Sequence, residues 1–159
     1  MSTLAAFTAL IDTMTLAAEA AGGAAFAACF TPDAVYHDYI YGPHRGRDEI
    51  AHMLVHMFRR DAGDDYRWEM FDPVCDGTTG YAWSLSSFTS LMPQFAGRFV
   101  VIDGISRFAL RDGLIAEYHE SVNAGVAMAQ LGVAPERMAK VMARWADGLK
   151  ASPQTAAFL

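Results

Sequence analysis

Residues 30–50 read FTPDAVYHDYIYGPHRGRDEI. This stretch divides into a helix end, a turn at Thr31-Pro32-Asp33, a strand over Ala34–Ile40, a glycine turn and the start of a new helix. The strand carries one carboxylate, Asp38, among Tyr36, Tyr39 and Tyr41. A lone acid in an aromatic strand costs free energy unless it is solvated, paired or used, so Asp38 marks a candidate site. After Gly42-Pro43 and Gly46, Asp48 and Glu49 fall in the first turn of a helix, where acids complement the dipole. Ile50, Met53/Leu54 and Met57/Phe58 form its apolar stripe, and Arg59, Arg60 and Gly63 end it.

Upstream, Leu4, Phe7, Leu10/Ile11, Met14 and Leu16/Ala17 recur at helical spacing over residues 3–20. Gly22-Gly23 breaks this helix, and a shorter one follows over 24–30. Downstream the pattern turns to strands: Tyr66–Cys75 with Pro73 near its end, a hairpin at Asp76-Gly77, then Gly80–Leu91, Arg98–Leu110, a turn at 111–113 and Leu114–Val122. In the second of these, Trp83, Leu85, Ser87 and Thr89 share one face. On the last strand Ala116, Tyr118, Glu120 and Val122 share a face. A slip of one residue would turn His119 and Glu117 inward instead. Two helices close the chain, about 124–131 and 135–149, with Pro135 at a first helical position. Residues 152–159 read as loosely held, with Phe158 and Leu159 apolar enough to dock.

The chain of 159 residues reads as one α+β domain over 1–159, with a curved antiparallel meander, helices on one sheet face and a helical extension over about 124–150. Hydrophobic residues make up 53% and charged residues 19%, which excludes a disordered chain. A net charge of −6 and scattered basic residues argue against nucleic acid. The apolar N-terminus has no basic leader and contains Asp12 and Glu19, so neither a signal peptide nor a membrane span is expected and the cytoplasm is the default. Cys29 and Cys75 read as free thiols in a reducing compartment rather than a disulfide. His52 and His56 stand four apart on a helix but lack a third ligand, and no phosphate-binding, dinucleotide or serine-hydrolase motif occurs. No metal or cofactor is expected.

Two segments, FTPDAVYHDYIYGPHRGRDEI and GRFVVIDGISRFALRDGLIAEYHESVN, together with the order helix–helix–strand–helix–meander, resemble the nuclear transport factor 2-like superfamily. That superfamily includes ketosteroid isomerases, SnoaL-type polyketide cyclases, limonene epoxide hydrolases and scytalone dehydratases. The resemblance implies a cystatin-like cone: a curved, mixed or antiparallel sheet wrapped around the N-terminal helices and enclosing an apolar pocket. It places Asp38 where the isomerases keep their proton-shuttling Asp. Their oxyanion Tyr falls on Met14, and their second acid near Ser106, or Asp103 in the other register. Compared with the epoxide hydrolases, Glu120 falls on their last-strand Asp, while their Arg and second Asp fall on Leu85 and Ser87. Two acid positions are thus retained and the rest of each constellation is replaced.

The resulting expectation is a pocket for a small apolar molecule, with Asp38, Glu120 and Tyr118 as candidate catalytic groups and Met14, Tyr36, Phe58, Trp83, Leu85, Ser87 and Ser106 as candidate wall. One reading is a cofactor-independent lyase, isomerase or cyclase with Asp38 as general base. The others are a non-catalytic binding protein and a dimerisation module whose interior is filled by its own side chains. The bland reading of Asp38 is a hydrogen bond to the glycine turn, or a pair with Arg45 or Arg47. His37, adjacent to Asp38, faces the outer side of the sheet, where a homodimer is expected.

Overall fold

The computed structural model describes residues 3–158. Helix α1 (Thr3–Glu19) and the short α2 (Gly23–Ala28) precede strand β1 (Phe30–Asp38) and strand β2 (Gly42–Arg45). Helix α3 (Gly46–His52) runs through a π-helical turn (Met53–Phe58) into a last turn, α4 (Arg59–Asp61). The meander is β3 (Arg67–Cys75), β4 (Thr79–Thr89), β5 (Phe99–Arg111) and β6 (Leu114–Val122). Helices α5 (Ala124–Leu131) and α6 (Pro135–Lys150) follow. The six strands lie in the order β2-β1-β6-β5-β4-β3. All neighbours are antiparallel except β1 and β6, which run parallel. This is the curved α+β sheet of the nuclear transport factor 2-like cone.

The sheet wraps around α1. Phe7, Ile11 and Met14 are buried on its inner face, and the Phe7 ring meets Phe108 of β5 edge-on at 5.2 Å. Full burial of side chains this large stabilises by roughly 2 kcal/mol each. Gly80 lets the tip of the Phe7 ring reach β4, because a Cβ there would run into its Cζ and Cε atoms. Glu19 ties the end of α1 to the sheet edge by accepting the Trp68 backbone N–H at 2.7 Å.

The hairpin between β3 and β4 forms as its Asp-Gly signal predicts. Asp76 Oδ1 accepts the backbone N–H groups of Thr78 and Thr79, each at 2.8 Å, and Gly77 takes a left-handed φ of 101°. Within β3 the register shifts between Phe71 and Val74, where Asp72 has a φ of 49° and Pro73 can donate no ladder bond.

Several expectations are corrected. Strand β1 starts at Phe30, through the Pro32-Asp33 pair read as a turn, and a register irregularity between Phe30 and Val35 absorbs that pair. It stops at Asp38 because that side chain, not the next strand residue, takes the following backbone N–H groups. The segment read as a bare glycine turn contains strand β2. On β4 the interior face is Ala82, Ser84, Ser86 and Phe88, whereas Trp83, Leu85 and Ser87 point away from the core. Phe158 is 85% exposed and does not dock, and Leu159 lies outside the described residues. Among the described residues no helix is long and apolar enough to cross a membrane. Cys29 and Cys75 are free, and burial pushes the Cys29 thiol up.

Candidate functional site

A cavity of about 340 Å³ opens inside the cone. Its walls come from every layer. Strand β1 supplies Tyr36 and Asp38, the π-helical turn Met53, Leu54 and Phe58, β4 Ser84, Ser86 and Phe88, and β6 Glu120 and Val122. The π turn widens the helix where these three apolar side chains converge, a deviation that recurs at ligand sites. Helices α5 and α6 complete the wall with Ala127, Met128 and Leu131 and with Val141 and Trp145. The Trp145 indole meets Tyr39 edge-on at 4.8 Å, and Arg137 and Arg144, both exposed, stand at the rim.

Asp38 and Glu120 come together through the parallel pairing of β1 with β6. Tyr36 lies beside Tyr118 and His37 beside His119, so the next step along the two strands sets Asp38 beside Glu120. Both carboxyl groups line the cavity. Oδ1 of Asp38 accepts the backbone N–H groups of Ile40 and Tyr41, each at 2.7 Å, which closes the loop before Gly42. Neither Arg45 nor Arg47 forms an ion pair with it among the described residues: Arg45 lies opposite Val35, on the other side of the sheet, and the Arg47 guanidinium donates to the Phe30 carbonyl. Burial raises the Asp38 carboxyl above the usual carboxylate range, opposed by those two backbone donors and by nearby His44. The Nε2 of His44 is buried without a partner among the described residues.

Glu120 is shifted further. Burial, then the negative charge of Asp38, push its carboxyl up to about 7. The hydroxyl of Tyr118 donates to Glu120 Oε2 at 3.2 Å and lies 2.9 Å from Ser106 Oγ, a polar file running back into the core. Tyr118 and Ser106 are fully buried behind the wall, so they position Glu120 rather than line the cavity. Burial drives the phenols of Tyr36, Tyr66 and Tyr118 well above their ordinary range, leaving them hydroxyl donors. At the loop, Tyr41 donates to Asp61 Oδ2 at 2.6 Å, and Arg60 grips the same carboxylate with two bonds of 2.7 and 2.8 Å.

The candidate wall therefore divides. Tyr36 and Phe58 line the cavity. Met14 is fully buried in the α1 core and is not part of the wall. Trp83, Leu85 and Ser87 are on the opposite side of the sheet, one residue out of phase with the true wall residues Ser84 and Ser86. Of the two registers open for β6, the one with Tyr118 and Glu120 inward is present; His119 and Glu117 bond to each other on the outer face. Sequence reasoning missed Ser84 and Ser86, and also Trp145. Ser84 accepts the Trp68 indole N–H at 2.8 Å, and its serine spacing was a signal that a bulky neighbour hid.

Paired strands of the sheet thus bring two acids to one largely apolar cavity. The model of the SnoaL-like domain matches residues 8–118, and the chain belongs to that family. Solved structures agree on the fold. A putative polyketide cyclase from Xanthomonas campestris pv. campestris is 24% identical, with 82% of this chain and 99% of that one covered and a TM-score of 0.66. TsrD from Streptomyces laurentii is 18% identical, covering 82% and 97%, at a TM-score of 0.70. An LEH-like epoxide hydrolase of M. tuberculosis is 15% identical, covering 82% and 92%, at 0.65. Among curated proteins none matches by sequence.

Proposed function

We propose that this protein takes a small apolar, carbonyl-bearing molecule into the cone and moves a proton next to its carbonyl, as a cofactor-independent isomerase, lyase or cyclase. The observation that carries this reading is the pair of adjacent carboxyl groups facing one apolar cavity, one of them raised to about 7. In the productive state Asp38 is ionised and Glu120 protonated, because two neighbouring carboxylates in an apolar site do not both ionise readily. Oδ2 of Asp38, the oxygen not used by the turn, abstracts the proton α to the carbonyl. The Glu120 carboxylic acid donates a hydrogen bond to the developing oxyanion, held at its station by Tyr118 and Ser106. The α-proton then returns to another carbon, or a leaving group departs.

The names of the similar structures, which include a putative polyketide cyclase and a hexachlorocyclohexane dehydrochlorinase, support a small-molecule reaction without choosing it. The test is deuterium exchange. A panel of cyclic and aromatic ketones is incubated in D2O with wild type, Asp38→Asn and Glu120→Gln, and α-deuteration is followed by NMR. Enzyme-dependent exchange that both variants lose is expected. Exchange by no ketone, or equal exchange by all three proteins, removes the catalytic reading.

A second reading, a binding protein without turnover, is favoured by the two backbone bonds that Asp38 Oδ1 accepts, since a turn-capping acid needs no catalytic role. Ligand retention unchanged in Asp38→Asn together with absent exchange identifies it. We further read residues 1–159 as one cytoplasmic domain that dimerises through the outer sheet face. There Trp83 is 40% exposed and Ile105 beside it 49% exposed. A monomer at micromolar concentration by light scattering overturns the dimer.

A further inference from the structure

The outer face of the sheet carries a second cluster that the cavity does not use. Residues 35 and 37 of β1 lie beside 117 and 119 of β6, with their side chains on the side opposite Asp38 and Glu120. This brings His37, Glu117 and His119 into one group. Nε2 of His37 lies 3.1 Å and Nε2 of His119 3.0 Å from the same oxygen, Glu117 Oε1. All three donor atoms fall within 4.8 Å of one another.

We infer that His37, Glu117 and His119 form a binding site for a borderline divalent cation, Zn²⁺ in the first instance. Two imidazole nitrogens and a carboxylate oxygen are a recurring zinc donor set, and three protein ligands leave a fourth position for water. The ligand atoms of a tetrahedral zinc ion stand roughly 3.3 Å apart, as follows from bonds of about 2.0 to 2.1 Å. The two Nε2···Oε1 separations are already close to that edge. The cation takes the place of the two Nε2 protons now shared with Glu117, and each ring carries its proton on Nδ1 instead.

Two features temper the affinity. The imidazole rings stack at 3.8 Å with 13° between their planes, so their lone pairs run side by side and a rotation about Cβ–Cγ must aim them at one point. In the single chain all three side chains have the room for it, being 33 to 40% exposed. Arg45, which lies opposite Val35, and Arg107, which lies opposite His119, add positive charge nearby. The site is therefore expected in the micromolar range. His52 and His56, the pair expected to lack a third ligand, have rings 4.8 Å apart and no third donor joins them among the described residues.

The inference is independent of the cavity chemistry. The test titrates the full-length protein with Zn²⁺ by calorimetry and with Co²⁺ by visible absorption, and follows the imidazole ¹H–¹⁵N signals during the zinc titration. A single equivalent is expected, with His37 and His119 resonances shifting, no thiolate-to-cobalt band, and affinity falling at least about tenfold in both His119→Ala and Glu117→Gln but not in His56→Ala. The ring signals of wild type report binding even if a variant folds poorly. No binding by wild type, shifts confined to His52 and His56, or affinity retained in both site variants overturns the assignment.

Discussion

Glu120→Gln tests the electrostatics of the cavity without any knowledge of the ligand. In the folded protein the Glu120 carboxyl is raised to about 7 from an ordinary value of 4.5. Between those two pH values the folded state holds a proton that the unfolded chain has released. Stability must then fall as pH rises through this window, and the contribution is complete once the folded group ionises. The full shift corresponds to roughly 3 kcal/mol, and water entering the cavity reduces this to about 2 kcal/mol. The other perturbed surface acids have the opposite sign: Asp33, Asp61, Asp65, Asp76 and Glu117 are all held below their ordinary range, so their stabilisation is lost only at acid pH. Urea denaturation of wild type and Glu120→Gln from pH 4.5 to 8.5 separates the two effects. The difference in unfolding free energy should tilt by about 2 kcal/mol in favour of the variant as pH increases. Parallel pH profiles would refute the claim that this carboxyl is desolvated beside a second acid.

Asp38→Asn removes the charge that stands second among the causes of the Glu120 shift, so a ¹³C titration of the Glu120 carboxyl should move to lower pH in that variant; an unmoved midpoint would show that the two acids do not face each other. Gly80→Ala forces a Cβ into the Phe7 ring and should cost about 1 to 3 kcal/mol by chemical denaturation. Ser84→Val leaves the buried Trp68 indole N–H without its acceptor and should cost about 1 to 3 kcal/mol, seen also as a changed tryptophan emission. Trp145→Ala deletes the ring that meets Tyr39 at the cavity wall, and should speed release of an environment-sensitive apolar dye while leaving the melting temperature nearly unchanged, which stopped-flow fluorescence measures.

Much of the fold was legible because its signals are local. The Asp-Gly hairpin, the helical apolar spacing in α1 and the glycine breaks each specify one conformation at short range, and the strands of the meander fall within a residue or two of the expected limits. Asp38 and Glu120 were legible because polar groups at inward positions of apolar strands are rare. The wall of β4 was not legible, for a physical reason. Its outer face carries Tyr81, Trp83 and Leu85, while its inner face carries Ala82, Ser84 and Ser86. Hydrophobic alternation assigns the greasier face to the core. Here the inner face must stay small to leave room for α1 and for a cavity, so alternation gives the inverted answer. Met14 misled in a related way: a helix position matched by homology to a site fills the core once its side chain is a thioether rather than a phenol.

On the proposed reading, the two acids and the adaptable part of the wall lie in different parts of the chain. Asp38 lies within the residues matched to the SnoaL-like family and Glu120 two residues past their end, both on strands fixed by neighbours on either side. The part of the wall made by α5 and α6 lies wholly beyond that match. The two helices are held differently: Gln130 of α5 bonds both the N–H and the carbonyl of Val101, whereas α6 buries none of its residues fully and its Trp145 meets Tyr39 edge-on. A rigid pair of acids under a loosely docked wall is the arrangement in which substrate choice changes without disturbing the reacting groups. Exchanging residues in α6 should therefore alter which molecules are bound while leaving the Glu120 titration near pH 7, because Glu120 and the Asp38 charge that acts on it sit on paired strands of the sheet. A Glu120 midpoint that follows changes in α6 would place the source of its desolvation in the helices and overturn this division.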